Sequence, residues 1–304
     1  MHTLLSMYFL GIDAGGSKTA LALGDEANLY AQSQTGSIKL GRVTEAQAMD
    51  CLRSGVRGTC EVAAIAEEEI ARCCIGFSGV SRPELVAVVH NLARQVLPNA
   101  QLRIIGDHVV AHRAAFPDGV GVIVIAGTGS VCYGRNVRGI EARAGGHGPV
   151  VSDEGSASWI GREAVRRVLR AHDRRQTLPL LQAIVDYWEL KDIKALVGHA
   201  NRIAAAEFAA LYPAVSRAAE LADELALALL RDAATELAQL AEIVAQRIGI
   251  EEIALAGGTA DASARLRREF ATAVKLLIPH ANIRSGSVNP AEGALRIARE
   301  SYTG

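Results

Sequence analysis

Leu10-Gly11-Ile12-Asp13-Ala14-Gly15-Gly16-Ser17-Lys18-Thr19 places an apolar run, a carboxylate and two glycines in close succession. The run from Tyr8 to Ile12 ends at Asp13, and a second apolar run from Ala20 to Leu23 follows the glycines. That pattern predicts a β-hairpin with a glycine-rich tip. Glycine lets a backbone approach a ligand closely, and the amides of Gly15, Gly16 and Ser17, with the side chains of Ser17, Lys18 and Thr19, suit an anion cradle. Asp13, closing the first strand, would stand beside bound phosphates, where Mg²⁺ takes an oxygen ligand or an acceptor for its waters. A P-loop is excluded, because that pattern needs lysine directly after Gly16 and Ser17 stands there. The segment after Thr19 is also strand-like, whereas a P-loop opens a helix. An ordinary tight hairpin that binds nothing fits this segment as well.

A second copy weighs against the plain hairpin. Val120 to Ile125 is a continuous apolar run leading into Ala126-Gly127-Thr128-Gly129-Ser130 and then Val131-Cys132-Tyr133. Two glycine-tipped hairpins in one chain suggest a duplicated fold whose halves face one nucleotide across a cleft.

GIDAGGSKT, IAGTGS and a later LAGGTA (Leu255 to Ala260) resemble the two phosphate loops and the adenosine loop of the actin-like sugar-kinase superfamily. Between them, Gly106-Asp107, Gly145-Gly146-His147-Gly148 and Ser152-Asp153-Glu154-Gly155-Ser156-Ala157 resemble the N-acetylglucosamine kinases and bacterial glucosamine kinases, within the group that includes the BadF/BcrA-type ATPases. The resemblance implies two ribonuclease H-like (actin-like ATPase) α/β domains with a nucleotide cleft between them. It implies ATP and Mg²⁺ as cofactors and phosphorylation of the 6-hydroxyl of N-acetylglucosamine or glucosamine. Gly15, Gly16, Ser17, Lys18, Thr19, Gly127, Thr128, Gly129, Ser130, Gly257 and Gly258 would then hold the nucleotide, with Asp13 on the metal.

Length and composition agree with that scale. With 304 residues, half of them hydrophobic, the chain has material for two modest domains and their cores. A formal net charge of -1, with scattered Lys and Arg, points away from nucleic acid and anionic membranes. Five cysteines, Cys51, Cys60, Cys73, Cys74 and Cys132, form no CxxC pair, so reduced thiols are expected in place of a disulfide framework or zinc site. The N-terminus lacks a secretory pattern and no run is long enough to span a bilayer, so the expected location is the cytoplasm.

Asn28 to Thr35 reads as a third strand, followed by the loop Gly36 to Gly41. Thr44 opens a helix to about Arg57, with Gly58 interrupting and helical character resuming from Glu61 to Glu69. Arg72 to Phe77 is a strand, Pro83 starts a helix to Leu97, and Leu102 to Ile105 is a strand ending at Gly106-Asp107. The turn cluster Phe116-Pro117-Asp118-Gly119 separates residues 1–116 from 117–304. In the second half, Ser156 to about Asp173, Leu178 to Trp188 and Ala214 to Gln246 read as helices, and Glu252 to Ala256 as a strand. A final amphipathic helix, Ala291 to Arg299, packs back on the first domain by the resemblance.

For phosphoryl transfer, a carboxylate on the acceptor hydroxyl can take its proton. Asp107, ending a strand, is the candidate base and matches the catalytic aspartate of the resembled kinases; the alternative is a simple cap on the helix His108 to Ala115. Asp153, Gly146 and His147 would contact the sugar, with helix capping again the alternative for Asp153. Ser78 and Gly79 read either as lining the sugar site or as a plain strand-to-helix turn. The Gly36 to Leu40 loop lacks the asparagine that the resembled family places there, so the sugar's identity stays open. His108 and His112, without a third ligand, read as packing or surface residues. Two other functions compete: an ATPase activator of the 2-hydroxyacyl-CoA dehydratase type, which would need cluster-binding cysteines in a glycine-rich loop, and a sugar-sensing regulator, which would need a DNA-binding segment. The resemblance also implies a homodimer.

Overall fold

The computed structural model describes residues 7–16, 18–176, 179–284 and 286–300. The chain divides into two compact units, Met1–Gly119 with Val288–Gly304, and Val120–Ser287.

In the first unit, Tyr8–Ala14 (β1), Lys18–Gly24 (β2) and Leu29–Gly36 (β3) form an antiparallel meander. Glu45–Ala63 (α1) leads to Ile70–Phe77 (β4), Pro83–Val96 (α2) to Gln101–Gly106 (β5), and Asp107–Ala115 (α3) follows at once. The sheet order is β3-β2-β1-β4-β5, with β4 parallel to β1 and β5 parallel to β4. Strand alternation sends Leu10, Ile12, Leu21 and Leu23 into a core under α1 and α2. Phe9 and Ala22 go to the opposite face, where α3 and the closing helix Pro290–Arg299 pack.

That helix sits close because two glycines permit it. A Cβ on Gly11 would run into the backbone of Ala291, Ala294 and Leu295, and one on Gly293 into the backbone of Val110 and Ala114. Arg72 fixes the helix end by donating to the carbonyls of Ala298, Arg299 and Glu300 at 3.4, 3.0 and 2.6 Å. These are the unsatisfied acceptors that every helix C-terminus leaves.

The second unit repeats the plan. Gly121–Ala126 (β6), Ser130–Arg135 (β7) and Glu141–Gly145 (β8) form a meander, and Glu252–Ala256 (β9) and Asn282–Arg284 (β10) add in parallel on the far side of β6. The order β10-β9-β6-β7-β8 is that of the first sheet read from the other edge. Ala157–Asp173 (α4), Pro179–Tyr187 (α5), Ile193–Ala200 (α6), Tyr212–Glu220 (α7), Glu224–Ile248 (α8), Gly258–Asp261 (α9) and Ala264–Leu277 (α10) complete it. The core is built from Val122, Val124 and Leu255 on the sheet against Leu230, Leu237 and Val244 of α8.

Several expectations need correction. The helix from Thr44 is not interrupted at Gly58: α1 runs through it to Ala63. One glycine costs about 1 kcal/mol in a helix interior, less than the apolar stripe Ala48, Leu52, Val56 and Cys60 recovers on burial. Glu61 to Glu69 is not one helical stretch either, since Ala64 adopts a left-handed conformation (φ 55°) and only Glu67–Glu69 forms a short 3₁₀ turn. Ala214 to Gln246 is two helices. Ala222 has φ 62°, and Asp223 caps α8 by accepting from Ala226 N at 2.9 Å while also accepting from Leu180 N at 3.2 Å. A capping carboxylate thus breaks an alanine-rich run that contains neither glycine nor an internal proline stop. Strands β8 and β10 were not anticipated; both are short, lack a continuous apolar run and lie at sheet edges. No helix among the described residues is long and apolar enough to cross a membrane.

Candidate active site

The carboxyl ends of β1, β4 and β5 lie side by side in the first unit. Asp13 pairs with Gly76, and Phe77 with Gly106, so Asp13, Ser78-Gly79 and Asp107 emerge together at one edge of the sheet. Burial, then the neighbouring Asp107, pushes the Asp13 carboxyl up to about 7, against an opposing pull from Lys18. Asp107 goes the other way. Burial works against its charge, but the His108 hydrogen bond and charge, with Lys39 beyond, hold it below the ordinary carboxylate value. Its Oδ1 accepts from His108 N at 2.9 Å and lies 3.5 Å from His108 Nδ1, while its side chain keeps 41% exposure. Asp107 occupies the first turn of α3, and Gly106 is the N-cap. Asp107 is thus not the N-cap itself, although its carboxylate accepts from the first-turn amide of His108. A carboxylate kept ionised yet open to solvent is suited to accept a proton.

The loop after β3 grips the hairpin tip. Ser37 Oγ donates to Gly15 O at 3.1 Å and accepts from Lys39 N at 3.1 Å, and Arg42 donates to Gly16 O at 2.9 Å. Ile38, 1% exposed, anchors the loop in the core. Lys39 Nζ then reaches Ser78 Oγ at 3.4 Å. The sequence reading singled out the Gly36 to Leu40 loop for its bearing on the sugar but gave Ser37, Lys39 and Arg42 no role of their own. Lys18 donates to Gln34 Oε1 at 3.3 Å while its charge still acts on Asp13. Thr19 pairs with Ala14 on the α1–α2 side of the sheet, the face opposite Asp13, with its hydroxyl buried and unpartnered among the described residues. Ser17 lies outside the described residues.

In the second unit, the Gly127–Ser130 turn is tied to two elements. Gly127 N donates to Gly129 O at 2.9 Å, closing the turn. Gly127 O accepts from Ala157 N at 3.0 Å and from Thr259 Oγ1 at 2.9 Å, and Thr128 O accepts from Ser158 N at 3.3 Å and from the Ser158 hydroxyl. The α4 N-terminus and the Gly257-Gly258 turn are thereby joined to this loop. Thr259, beside those glycines in LAGGTA, was within reach of the sequence reading but not singled out.

Asp153 packs on the same loop. It is 6% exposed, has φ 64°, and accepts from the amides of Ser130 and Gly148. Burial raises its carboxyl above the ordinary value against those hydrogen bonds. A Cβ at position 129 would lie 2.5 Å from Asp153 Oδ2, so any larger residue there would have to push that carboxylate aside. Asp153 is not the helix cap; Ser156 is, accepting from Trp159 N at 3.2 Å. His147 is exposed, and Gly146 O accepts from Arg143 at 2.9 Å.

Among the described residues no group of three or more His, Cys, Asp or Glu could hold a metal. His112 is 3% exposed and packs on Phe116 with ring centroids 5.2 Å apart. All five cysteines are free thiols.

Residues 10–298 match the BadF/BadG/BcrA/BcrD ATPase family. The chain belongs to that family. Within it, the chain is 29% identical over 300 residues to an N-acetylmuramic acid/N-acetylglucosamine kinase of Clostridium acetobutylicum, covering 96% of this chain and 98% of the relative. It is 27% identical over 312 residues to an N-acetyl-D-glucosamine kinase of Dictyostelium discoideum, with the same coverage. A solved structure of a candidate N-acetylglucosamine kinase from Chromobacterium violaceum superposes with TM-score 0.80 at 25% identity, over 97% of this chain and 100% of that one. A ROK-family glucokinase from Streptomyces griseus shares the fold at TM-score 0.63 and 15% identity, over 96% and 99%. The two repeated five-stranded sheets are those of the actin-like sugar kinases.

Proposed function

We propose that this chain is an ATP-dependent kinase that phosphorylates an amino sugar of the N-acetylglucosamine class on its 6-hydroxyl. The observation that carries this reading is the pair of carboxylates, Asp13 and Asp107, that β1 and β5 deliver to one end of the first sheet, near enough for Asp107 to help raise the Asp13 carboxyl. Asp107 is the base: its carboxylate takes the acceptor hydroxyl's proton as the oxygen bonds to phosphorus. Ser78 and Gly79, beside it on the neighbouring strand end, position the sugar, with Gly146, His147 and Asp153 as the second unit's contribution.

Asp13 fits Mg²⁺. A carboxyl crowded by a second carboxylate and raised to about 7 gains from a nearby cation. Magnesium commonly takes one or two protein carboxylates and fills its sphere with water and substrate phosphates. The lack of a three-ligand cluster among the described residues is compatible with that mode. When bound, the ion neutralises charge on the phosphates; Asp13 holds it or its waters.

Gly15, Gly16, Ser17, Lys18 and Thr19 hold phosphates in the first unit, Thr19 through its backbone, since its hydroxyl is turned into the core. In the second unit, Gly127, Thr128, Gly129 and Ser130 supply further phosphate contacts, and Gly257 and Gly258 the adenosine side. The kinases named among the relatives favour this reading over the dehydratase-activator type. A cytoplasmic location and a homodimeric state belong to the same proposal; size-exclusion chromatography with light scattering tests the dimer. The function is tested by ADP release with glucosamine, N-acetylglucosamine, N-acetylmannosamine and glucose under identical Mg²⁺ and ATP. Sugar-stimulated turnover is expected with an amino sugar; its absence throughout the panel overturns the reading.

A further inference from the structure

We propose that Lys39 is a catalytic residue of this chain, placing its ammonium on the phosphoryl group in transfer; the proposal rests on the kinase reading above. Phosphoryl transfer spreads negative charge over the equatorial oxygens, and a preorganised cation there lowers the barrier more than it tightens ground-state binding. Two lysines of the first unit are available for this. Lys18 lies in the glycine hairpin itself, where the reading above puts it on the bound phosphates, and its ammonium is bonded to Gln34 on β3. Lys39 comes from a loop that the motif does not include, and its side chain crosses the site.

The course of that side chain is well defined. Its Cδ passes 3.9 Å from where a Cβ on Gly16 would stand, so the stem lies over the tip of the phosphate hairpin. Its Nζ ends 3.4 Å from Ser78 Oγ, just past the end of β4, the strand next to the one that delivers Asp107. Lys39 thus spans from the phosphate hairpin to Ser78, beside the strand end that delivers Asp107. Its influence on Asp107 agrees with that placement.

The loop is built to hold it there. Ile38 is locked in the core on one side, and Ser37 Oγ binds both Lys39 N and Gly15 O. Arg42 clasps Gly16 O. The neighbouring residues therefore tie the Lys39 backbone to the very glycines expected to carry phosphate, so the ammonium and the cradle keep a fixed relation. Ser78 takes one of three N–H donors, a weak neutral partner at long range, which an anionic oxygen would displace at little cost.

The step balances without further reactants. The acceptor hydroxyl oxygen forms a bond to the γ-phosphorus of ATP, and the bond from that phosphorus to the β,γ-bridging oxygen breaks. ADP leaves with that electron pair, and the hydroxyl proton passes to the Asp107 carboxylate. Lys39 neither gives nor takes a proton; it donates hydrogen bonds to the transferring oxygens.

The test uses the full chain with Lys39→Met and Lys39→Arg, measuring kcat, KM for ATP and for the best sugar, and affinity for ADP–aluminium fluoride with sugar bound. Lys39→Met is expected to lower kcat by about 10²–10³-fold, the loss on removing one transition-state donor. Both KM values should move little, and affinity for the fluoride complex should fall with kcat. Lys39→Arg should recover part of the loss. If Lys39→Met raises the sugar KM and spares kcat, Lys39 is a sugar contact and the proposal is overturned. Unchanged kinetics make it a surface lysine and overturn it equally. If Lys39→Met does not fold, as judged by its melting curve, Lys39→Gln bears the same test with the same outcomes. A wild-type protein inactive on every sugar would defeat the kinase reading itself, which the wild-type control separates from failure at Lys39.

Discussion

Replacing Asp13 by Asn should stabilise the protein while abolishing turnover, and the size of the gain should depend on pH. The native Asp13 carboxyl titrates near 7 against an ordinary value of 3.8. Between those values the folded protein holds a proton that the unfolded chain has lost, so stability falls as pH rises through this window. At about 1.4 kcal/mol per pH unit the full span corresponds to about 4 kcal/mol. Partial exposure to water brings the expected difference to about 2–4 kcal/mol above pH 7. Asparagine carries no charge to bury, so it escapes this cost. The variant and wild type should melt together near pH 4, diverge between pH 4 and 7, and differ by a constant amount above. The assay is thermal melting from pH 4 to 8.5 in EDTA, where each kcal/mol moves the midpoint by about 2–4 °C in domains of this size class. Magnesium with ATP should then raise the wild-type midpoint far more than the variant's, because the cation takes the place of the missing proton. A variant less stable than wild type at pH 8, or a gap indifferent to pH, would refute the argument that Asp13 is a strained carboxyl awaiting a cation.

Asp153→Ala should cost about 1–3 kcal/mol, since it leaves the amides of Ser130 and Gly148 without their acceptor; denaturant melts measure the loss, and the KM for ATP should rise as the Gly127–Ser130 turn loosens. Gly11→Ala should lower the melting midpoint by several degrees, because its methyl collides with the backbone of the closing helix; a variant with wild-type melting would mean that the helix can shift freely on the sheet.

Much of this was legible in the sequence because the fold repeats a local pattern. The apolar runs at Tyr8 to Ile12 and Val120 to Ile125, each followed by a glycine tip, predict hairpins whatever lies elsewhere, and both are present. Edge strands β8 and β10 lack that signal, since one side of each needs no apolar partner. The break at Ala222 was hidden because its cause is Asp223, whose second partner, Leu180 N, is brought up only by the tertiary fold. The site divides in the same way. Asp13 and Asp107 could be singled out as strand-ending carboxylates, with His108 next in the chain, but their opposite shifts also depend on burial, on mutual proximity and on Lys39, which spacing does not encode. Lys39 itself sits in a loop without a motif, and only its path over Gly16 to Ser78 brings it to notice.

The role of Asp107 admits the most direct test. Asp107→Asn keeps the shape of the side chain at the start of α3 and removes its capacity to accept a proton. Sugar binding measured by calorimetry should stay within a few-fold of wild type, while sugar-dependent ATP turnover falls by about 10²–10⁴-fold. Turnover close to wild type in a variant that binds sugar normally would contradict the account at its centre.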